Sequence, residues 1–191
     1  MGVKTDTRQR MITAAALVMR ERGIAGTTVA TVLQRSGAPR GSVGFHFPGG
    51  RNELLTEALH LAGDSVSTML RAAVEAGTPP ATLIRGIGDY YKHQLAETDF
   101  HAGCPVGAAA LEAYDHIELG PAVAEVIDDW TSLLAQSMVK TGFDESTAAD
   151  AALAAISSIE GAILVARVKR STDPIDLAVG MVVPLVSEPK N

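Results

Sequence analysis

Residues 24–54 read IAGTTVATVLQRSGAPRGSVGFHFPGGRNEL, and this stretch decides the fold. Thr28 is a good N-cap, because its hydroxyl can accept a hydrogen bond from an unpaired amide of the first helical turn. Gly37 can adopt the left-handed conformation that often ends a helix, and Pro39 suits the first turn of the next helix. The stretch therefore predicts a helix, a tight turn and a second short helix, the arrangement of a helix-turn-helix DNA reader.

Several residues of this stretch have the chemistry to meet DNA. Gly41 and Ser42 are small enough to let a backbone approach a phosphate. Arg51 sits at the start of a long helix, where its charge and the N-terminal amides could both face a phosphate. His46 could donate to a phosphate or serve as a structural histidine, whereas Phe47 is expected in the core. The predicted DNA contacts are Thr27, Thr28, Arg40, Gly41, Ser42, Phe45, His46 and Arg51.

Charge is divided unevenly along the chain. The 191 residues carry a net charge of −6, which alone argues against a nucleic-acid partner. Residues 1–53 nevertheless hold eight basic and three acidic residues, so that this segment is at +5 while the remainder is at −11. This asymmetry favours a polyanion partner for the N-terminal segment, although chance clustering of solvated charges would give the same count.

Residues 7–62 resemble the DNA-binding domain of the tetracycline-repressor (TetR) family. The matched pattern runs Thr7-Arg8, Ala14-Ala15, Glu21-Arg22-Gly23, Thr27-Thr28-Val29, Ser36 to Ser42, His46-Phe47 and Glu53-Leu54. The His-Phe-Pro-Gly-Gly-Arg turn at 46–51 and Gly103-Cys104-Pro105-Val106 resemble the subgroup around the lincomycin-resistance repressor, the LmrA/YxaF type. The resemblance implies operator DNA, a small-molecule effector and a homodimer as partners. Gly44 departs from the family pattern, which usually has a tyrosine that touches the DNA backbone.

The rest of the chain reads as further helices. The composition is rich in helix-forming residues and lacks alternating β-branched runs, so we expect an all-α protein of about nine helices. The fourth helix, about 51–76, is too long for a three-helix DNA domain and should link two domains. We predict a helix-turn-helix DNA-binding domain at residues 1–53 and an effector-binding and dimerisation domain at residues 54–191.

The C-terminal domain is expected to enclose an effector pocket. Glu160 stands among isoleucines and could bind a ligand donor or cation, or could pair with Arg167. Cys104 could be a small buried apolar residue or a pocket wall. The predicted ligand contacts are Met69, Tyr90, His93, Cys104, Trp130, Met138 and Glu160.

The eighth helix is crowded with alanines, and apolar residues cover more than one of its sides, which calls for two packing partners. One partner would be the domain core and the other the same face of a second subunit, in the four-helix interface that the family resemblance implies. The predicted interface residues are Ala152, Ala155, Ile156, Ile159, Ile163, Val179 and Val182.

No catalytic motif stands out, and we expect neither an enzyme nor a cofactor. His101, Cys104 and His116 match no strong metal motif, so no metal site is predicted. The single cysteine, the polar N-terminus and the lack of a stretch approaching about 20 apolar residues favour a cytoplasmic protein without a membrane partner. The sequence predicts a DNA-binding transcriptional regulator, a repressor that a small, largely apolar effector releases from its operator. The rival is a small helical ligand-binding protein or enzyme that has lost DNA binding.

Overall fold

The computed structural model describes residues 2–187, with the backbone alone at residues 2–5. Over this range the chain forms helices and no strand, which confirms the all-α prediction. The helices are α1 (Gly2–Gly26), α2 (Val29–Ser36), α3 (Ser42–His46), α4 (Gly50–Glu75), α5 (Pro80–Glu97), α6 (Pro105–Ala110), α7 (Gly120–Val139), α8 (Glu145–Lys169) and α9 (Asp173–Ser187).

The chain folds into two compact units. The first unit contains residues 1–64 and 105–126, and the second contains residues 65–104 and 127–191. The boundaries fall inside α4 and inside α7, so each of these helices contributes residues to both units. These packing units differ from the predicted functional division at residue 53, because residues 105–126 pack with the N-terminal segment.

Local signals in the sequence set several helix ends. The Thr28 hydroxyl accepts from the Thr31 amide at 3.1 Å, and Gly37 follows α2 in the left-handed conformation with φ of 66°. Asp144 caps α8 by accepting from the Thr147 amide at 2.9 Å. At the start of α5, Pro79 is the N-cap and Pro80 takes the first helical position.

The core of the first unit is formed by buried residues of α1, α2, α3, the first half of α4 and α6, and α1 packs on both α2 and α6. Met11 and Met19 of α1 and Val32 of α2 are fully buried with Phe47, which ends α3. The guanidinium of Arg8 stacks over the Phe47 ring, 5.0 Å from its centroid, and also pairs with Glu57 of α4. The expectation that Phe47 is a core residue is confirmed, and its packing holds α3 at a fixed position on the unit.

The second unit is built around α5, α8 and α9, which pack on one another. Gly88 of α5 is buried, and a Cβ at this position would lie 2.6 Å from a methyl group of Val179 on α9. The close approach of α5 and α9 therefore requires glycine at position 88. The alanines of α8 serve the same purpose, since Ala152, Ala155 and Ala166 are fully buried within the unit.

Helix α8 corrects one expectation about the chain. Its 25 residues include an 18-residue window of mean hydropathy 1.7, long and apolar enough by composition to cross a membrane. The sequence analysis had found no such stretch. In the structure α8 instead packs one side into the core of the second unit, with eight of its residues buried.

Candidate nucleic-acid interface and ligand site

The surface of α3 and the turn before it carries most of the predicted DNA contacts. Arg40 and Gly41 are exposed, Ser42 and His46 are partly exposed, and the Phe45 side chain is 63% exposed. The Phe45 and His46 rings meet edge to face with centroids 4.9 Å apart. An exposed apolar ring in this position can contact a thymine methyl group in the major groove.

Arg40 is the cation of this surface that is available to a phosphate. It makes no hydrogen bond or ion pair with any residue in the described range 2–187. Several other arginines of the N-terminal segment are already paired: Arg8 with Glu57, Arg10 with Asp6, and Arg35 with Glu21 at 2.8 Å. Several basic residues of segment 1–53 are therefore neutralised by ion pairs within the protein. The net charge of +5 thus overstates the number of cations that are available to DNA.

Two of the predicted DNA contacts have other roles. Thr27 is fully buried, and its hydroxyl donates to the Gly23 carbonyl at 2.6 Å, so its assignment as a DNA contact was wrong. The guanidinium of Arg51 donates through Nε to the Thr27 carbonyl at 2.9 Å and through Nη2 to the Ile24 carbonyl. Arg51 thus holds the turn between α1 and α2, and the geometry does not support the predicted phosphate contact. Thr28 is exposed but already caps α2.

Gly44 lies on the exposed side of α3. Its Cβ position has no neighbouring heavy atom within 4 Å, so a side chain there would enter open space. The lack of a side chain at this position is therefore not required by packing within the unit.

A cluster of polar groups lies in the second unit, formed by the buried Tyr91 of α5 and Cys104 before α6 and by the partly buried Glu160 of α8. The Cys104 thiol is hydrogen-bonded to Tyr91 and to Glu160. Burial raises the pKa of the Tyr91 phenol well above its usual value, with Cys104 and Glu160 adding to the shift. Burial likewise raises the pKa of Glu160 to about 7, against a smaller opposing effect of the Cys104 hydrogen bond. A carboxyl held in this way can accept from a ligand donor or share a proton with it.

The structure divides the predicted ligand contacts into two groups. Cys104, Trp130 and Met138 are buried in the second unit, as the prediction required. Met69, Tyr90 and His93 are exposed, and His93 faces Glu97 at 3.2 Å, so these three do not line an interior site. Arg167 donates to the His101 carbonyl at 2.8 Å.

Tyr91, and not its neighbour Tyr90, is the buried tyrosine of α5. The signal for this was present in the sequence, because Tyr91 is four residues from both Ile87 and Leu95, which are buried. In the described part of the chain, no group of three or more His, Cys, Asp or Glu residues is placed to hold a metal ion.

The predicted dimer residues face the interior of the second unit. Ala152, Ala155, Ile156, Ile159, Ile163 and Val182 are buried within the second unit, and Val179 packs against Gly88. The opposite sides of α8 and α9 expose a different set of large apolar side chains. We call this set the α8–α9 face: Leu153, Val165, Val168, Leu177, Met181 and Leu185. On α9 its members recur every four residues, which is the signal that the sequence analysis overlooked.

Comparison with known proteins now decides the family. The model of the transcriptional regulator LmrA/YxaF-like C-terminal domain matches residues 80–180, more than half of the chain. The chain belongs to the TetR family. Regulators of this family bind operator DNA and act as dimers, and they are not enzymes. The rival assignment as an enzyme is therefore set aside.

Two relatives show how far the similarity to the TetR family extends along the chain. The HTH-type transcriptional regulator Rv0196 of Mycobacterium tuberculosis is 44% identical over 176 residues, covering 89% of each chain. The HTH-type transcriptional regulator LmrA of Bacillus subtilis is 31% identical over 171 residues, covering 89% of this chain and 91% of its own.

The fold is shared with more distant proteins of known structure. The reduced form of NemR from Escherichia coli superposes with a TM-score of 0.80 at 18% identity, covering 97% of this chain and 100% of that one. A TetR transcriptional regulator from Chloroflexus aurantiacus gives a TM-score of 0.77 at 24% identity, covering 99% and 98%. The chain is thus a DNA-binding transcriptional regulator with the TetR fold along nearly its whole length.

Proposed function

We propose that this regulator is a repressor that a small, largely apolar effector releases from its operator. The observation that carries the effector half of the proposal is the Tyr91–Cys104–Glu160 cluster. Desolvation makes an ionisable carboxyl such as Glu160 costly to place inside an otherwise apolar unit, and its presence there favours a role in binding. The groups of the cluster would orient an effector whose remaining surface contacts apolar residues such as Trp130 and Met138.

On the DNA side, the proposed contacts are the exposed or partly exposed groups of α3, of the turn before α3 and of the start of α2. Arg40 supplies a phosphate contact, and the open Phe45 ring with the neighbouring His46 faces the groove. Gly41 and Ser42 let the backbone come close to the DNA, and the Thr28 end of α2 lies at the edge of the same contact. The DNA-binding function is proposed to reside in residues 1–53, within the first compact unit.

The second subunit is proposed to cover the α8–α9 face. Leu177, Met181 and Leu185 form an exposed apolar stripe along α9, and Val165 and Val168 extend it on α8. Exposure of so many large apolar side chains on two adjacent helices is unfavourable in a monomer, and the family acts as dimers. A two-fold axis would bring each residue of the face into the interface twice.

Effector binding is proposed to change the course of α4, a continuous helix whose residues 50–64 belong to the first unit and 65–75 to the second. Dimers of helix-turn-helix proteins bind half-sites about 34–36 Å apart, so a small displacement of the reading helices prevents simultaneous contact. Because the relatives are regulators of this kind, the proposed location is the cytoplasm, without a membrane partner.

Footprinting of the DNA around the protein's own gene, with and without effector candidates, tests this function. We expect a protected, two-fold symmetric site that is lost when an aromatic or apolar compound quenches Trp130 fluorescence and raises the melting temperature. Protection that a stabilising compound strengthens would refute release as the mode of action. Absence of a protected site under low-salt conditions would refute operator binding there.

A further inference from the structure

The turn between α1 and α2, residues 23–28, sets the direction in which the helix-turn-helix leaves α1. Gly23 interrupts the helix with φ of 70° and ψ of −171°, a conformation that is almost restricted to glycine. The buried hydroxyl of Thr27 bonds back to the Gly23 carbonyl at 2.6 Å, and Thr28 begins α2 as its N-cap. Any rotation in this turn therefore changes where α2 and α3 point.

Two charged side chains from distant parts of the chain hold this turn. The Glu112 carboxylate accepts from the Ile24 amide through Oε1 at 3.0 Å and from the Ala25 amide through Oε2 at 2.7 Å. From α4, Arg51 donates to the carbonyls of Thr27 and Ile24. The Glu112 carboxylate thus accepts from two amides of the turn, and the Arg51 guanidinium donates to two of its carbonyls. We call Glu112 and Arg51 the turn clasp.

The sequence of the turn is matched to the clasp. A Cβ at Gly23 would lie 1.8 Å from Oε1 of Glu112, so the carboxylate can approach the two amides only past a glycine. Hydrogen bonds to an ionised group are about twice as strong as those between neutral groups. Both oxygens of Glu112 are used in this way, one for each of two consecutive amides.

Glu112 belongs to one region of the chain by sequence and to another by its contacts. It follows α6 and lies inside the segment 80–180 that matches the C-terminal-domain model of the family. Its hydrogen bonds nevertheless go to the N-terminal turn, and residues 105–126 belong to the first compact unit. A residue of the C-terminal sequence region is therefore built into the DNA-reading unit.

We propose that Glu112 is a positioning residue for operator binding. As an anion it repels phosphate and does not touch DNA; it acts by holding the turn 23–28, and through it the orientation of α2 and α3. Operator recognition by a dimer requires both reading helices at a defined orientation, whereas non-specific binding depends on charge. Loss of Glu112 should consequently reduce operator affinity much more than non-specific affinity.

The test compares Glu112→Ala with Glu118→Ala. Glu118 belongs to the same connection and bonds to Asn52 of α4 at 2.6 Å, so its removal takes away the same charge without touching the turn. We expect Glu112→Ala to lower operator affinity by about tenfold or more, since tenfold corresponds to about 1.4 kcal/mol, the scale of one hydrogen bond to a charged group. Non-specific affinity and the salt dependence should stay close to those of the native protein. The Glu118→Ala variant should behave like the native protein in both assays.

A parallel loss of operator and non-specific affinity would overturn the proposal, and so would an equal loss in the Glu118→Ala variant. Each assay is run well below the melting temperature, with the fold checked by circular dichroism. Operator binding by the native protein is the reference for both variants. If the native protein binds no operator, the proposed function fails, and the clasp is then tested by the hydrogen-exchange measurement alone.

Hydrogen exchange of the native protein tests the clasp without relying on a variant that folds. The amides of Ile24 and Ala25 should be protected, since each donates to the carboxylate. Exchange at the rate of open amides would refute the clasp. In Glu112→Gln, which keeps the size but offers an amide group to two donors, both amides should exchange faster while the Val32 amide, bonded to the Thr28 carbonyl at 3.0 Å, stays protected.

Discussion

Replacement of Leu177 by alanine should weaken the dimer strongly, whereas the same replacement at Leu111 should not. Both side chains are 66% exposed in the described structure, but Leu177 lies on the α8–α9 face and Leu111 lies in the first unit. The pair is therefore matched in residue type and exposure and differs in the surface to which each belongs.

The expected magnitude follows from the exposed area. Full burial of a leucine side chain contributes about 1.5–3 kcal/mol, so covering the exposed two-thirds of Leu177 contributes about 1–2 kcal/mol. A two-fold axis places the residue in the interface twice, which gives about 2–4 kcal/mol for the dimer. At about 1.4 kcal/mol for each factor of ten, Leu177→Ala should raise the dimer dissociation constant by about 30- to 700-fold.

Sedimentation equilibrium over a wide range of protein concentrations measures this constant for the native protein and both variants. The reasoning is refuted if the native protein is a monomer at micromolar concentration, or if Leu177→Ala dimerises as tightly as the native protein. An equal loss in Leu111→Ala would show that exposed leucines in general, and not the α8–α9 face, drive association.

Three further predictions concern DNA and pH. Arg40→Ala should weaken binding to all DNA sequences and should reduce the slope of log binding constant against log salt concentration by about 0.9, for one lost phosphate contact. The control Arg85→Ala removes an exposed arginine of α5 and should leave affinity and slope unchanged. A loss of affinity confined to one base pair in operator titrations would contradict this role for Arg40. Gly44→Tyr should tighten binding by roughly tenfold through helix propensity and a new hydroxyl contact, and Gly44→Phe measures the propensity part alone; weaker binding by the folded tyrosine variant would mean that the glycine is part of the reading geometry. The fold raises the pKa of Glu160 from its usual value of 4.5 to about 7, so ionisation of this carboxyl costs no stability below pH 4.5, costs progressively more between pH 4.5 and 7, and costs its full amount above 7. Glu160→Gln should therefore melt higher than the native protein at pH 8 and alike near pH 4.5, and a difference independent of pH would contradict the shift.

Several helix ends, in the helix-turn-helix and beyond it, followed from local sequence. Thr28, Gly37 and Asp144 end or begin helices through their own side chains or backbone freedom, so their roles can be read without knowing the fold. Phe47 was also expected in the core, packing the third helix on the first and fourth, and it is fully buried.

The choice of helix face was harder to predict. Tyr90 and Tyr91 are adjacent, and a rotation of about 100° separates the exposed ring from the buried one. The apolar residues of α8 surround much of the helix, so the pattern predicted two packing partners, the domain core and a second subunit. It did not indicate which side of α8 would contact which partner. The structure gave the alanine-rich side to α5 and α9 because small side chains allow helix axes to approach closely, as Gly88 does opposite Val179.

By itself, the sequence determined the all-α class, the position of the DNA-reading element and the family, since these depend on short-range spacing and on a specific motif. Only the tertiary structure decided which charged groups are available. Arg40 and Arg51 look alike in the sequence, both beside glycine breaks, yet Arg40 is exposed while Arg51 bonds two carbonyls of the turn. Glu112 gave no local signal at all, because its partners Ile24 and Ala25 lie nearly ninety positions away. A hydrogen bond between distant residues depends on how the chain packs, and no pattern of neighbouring residues encodes it.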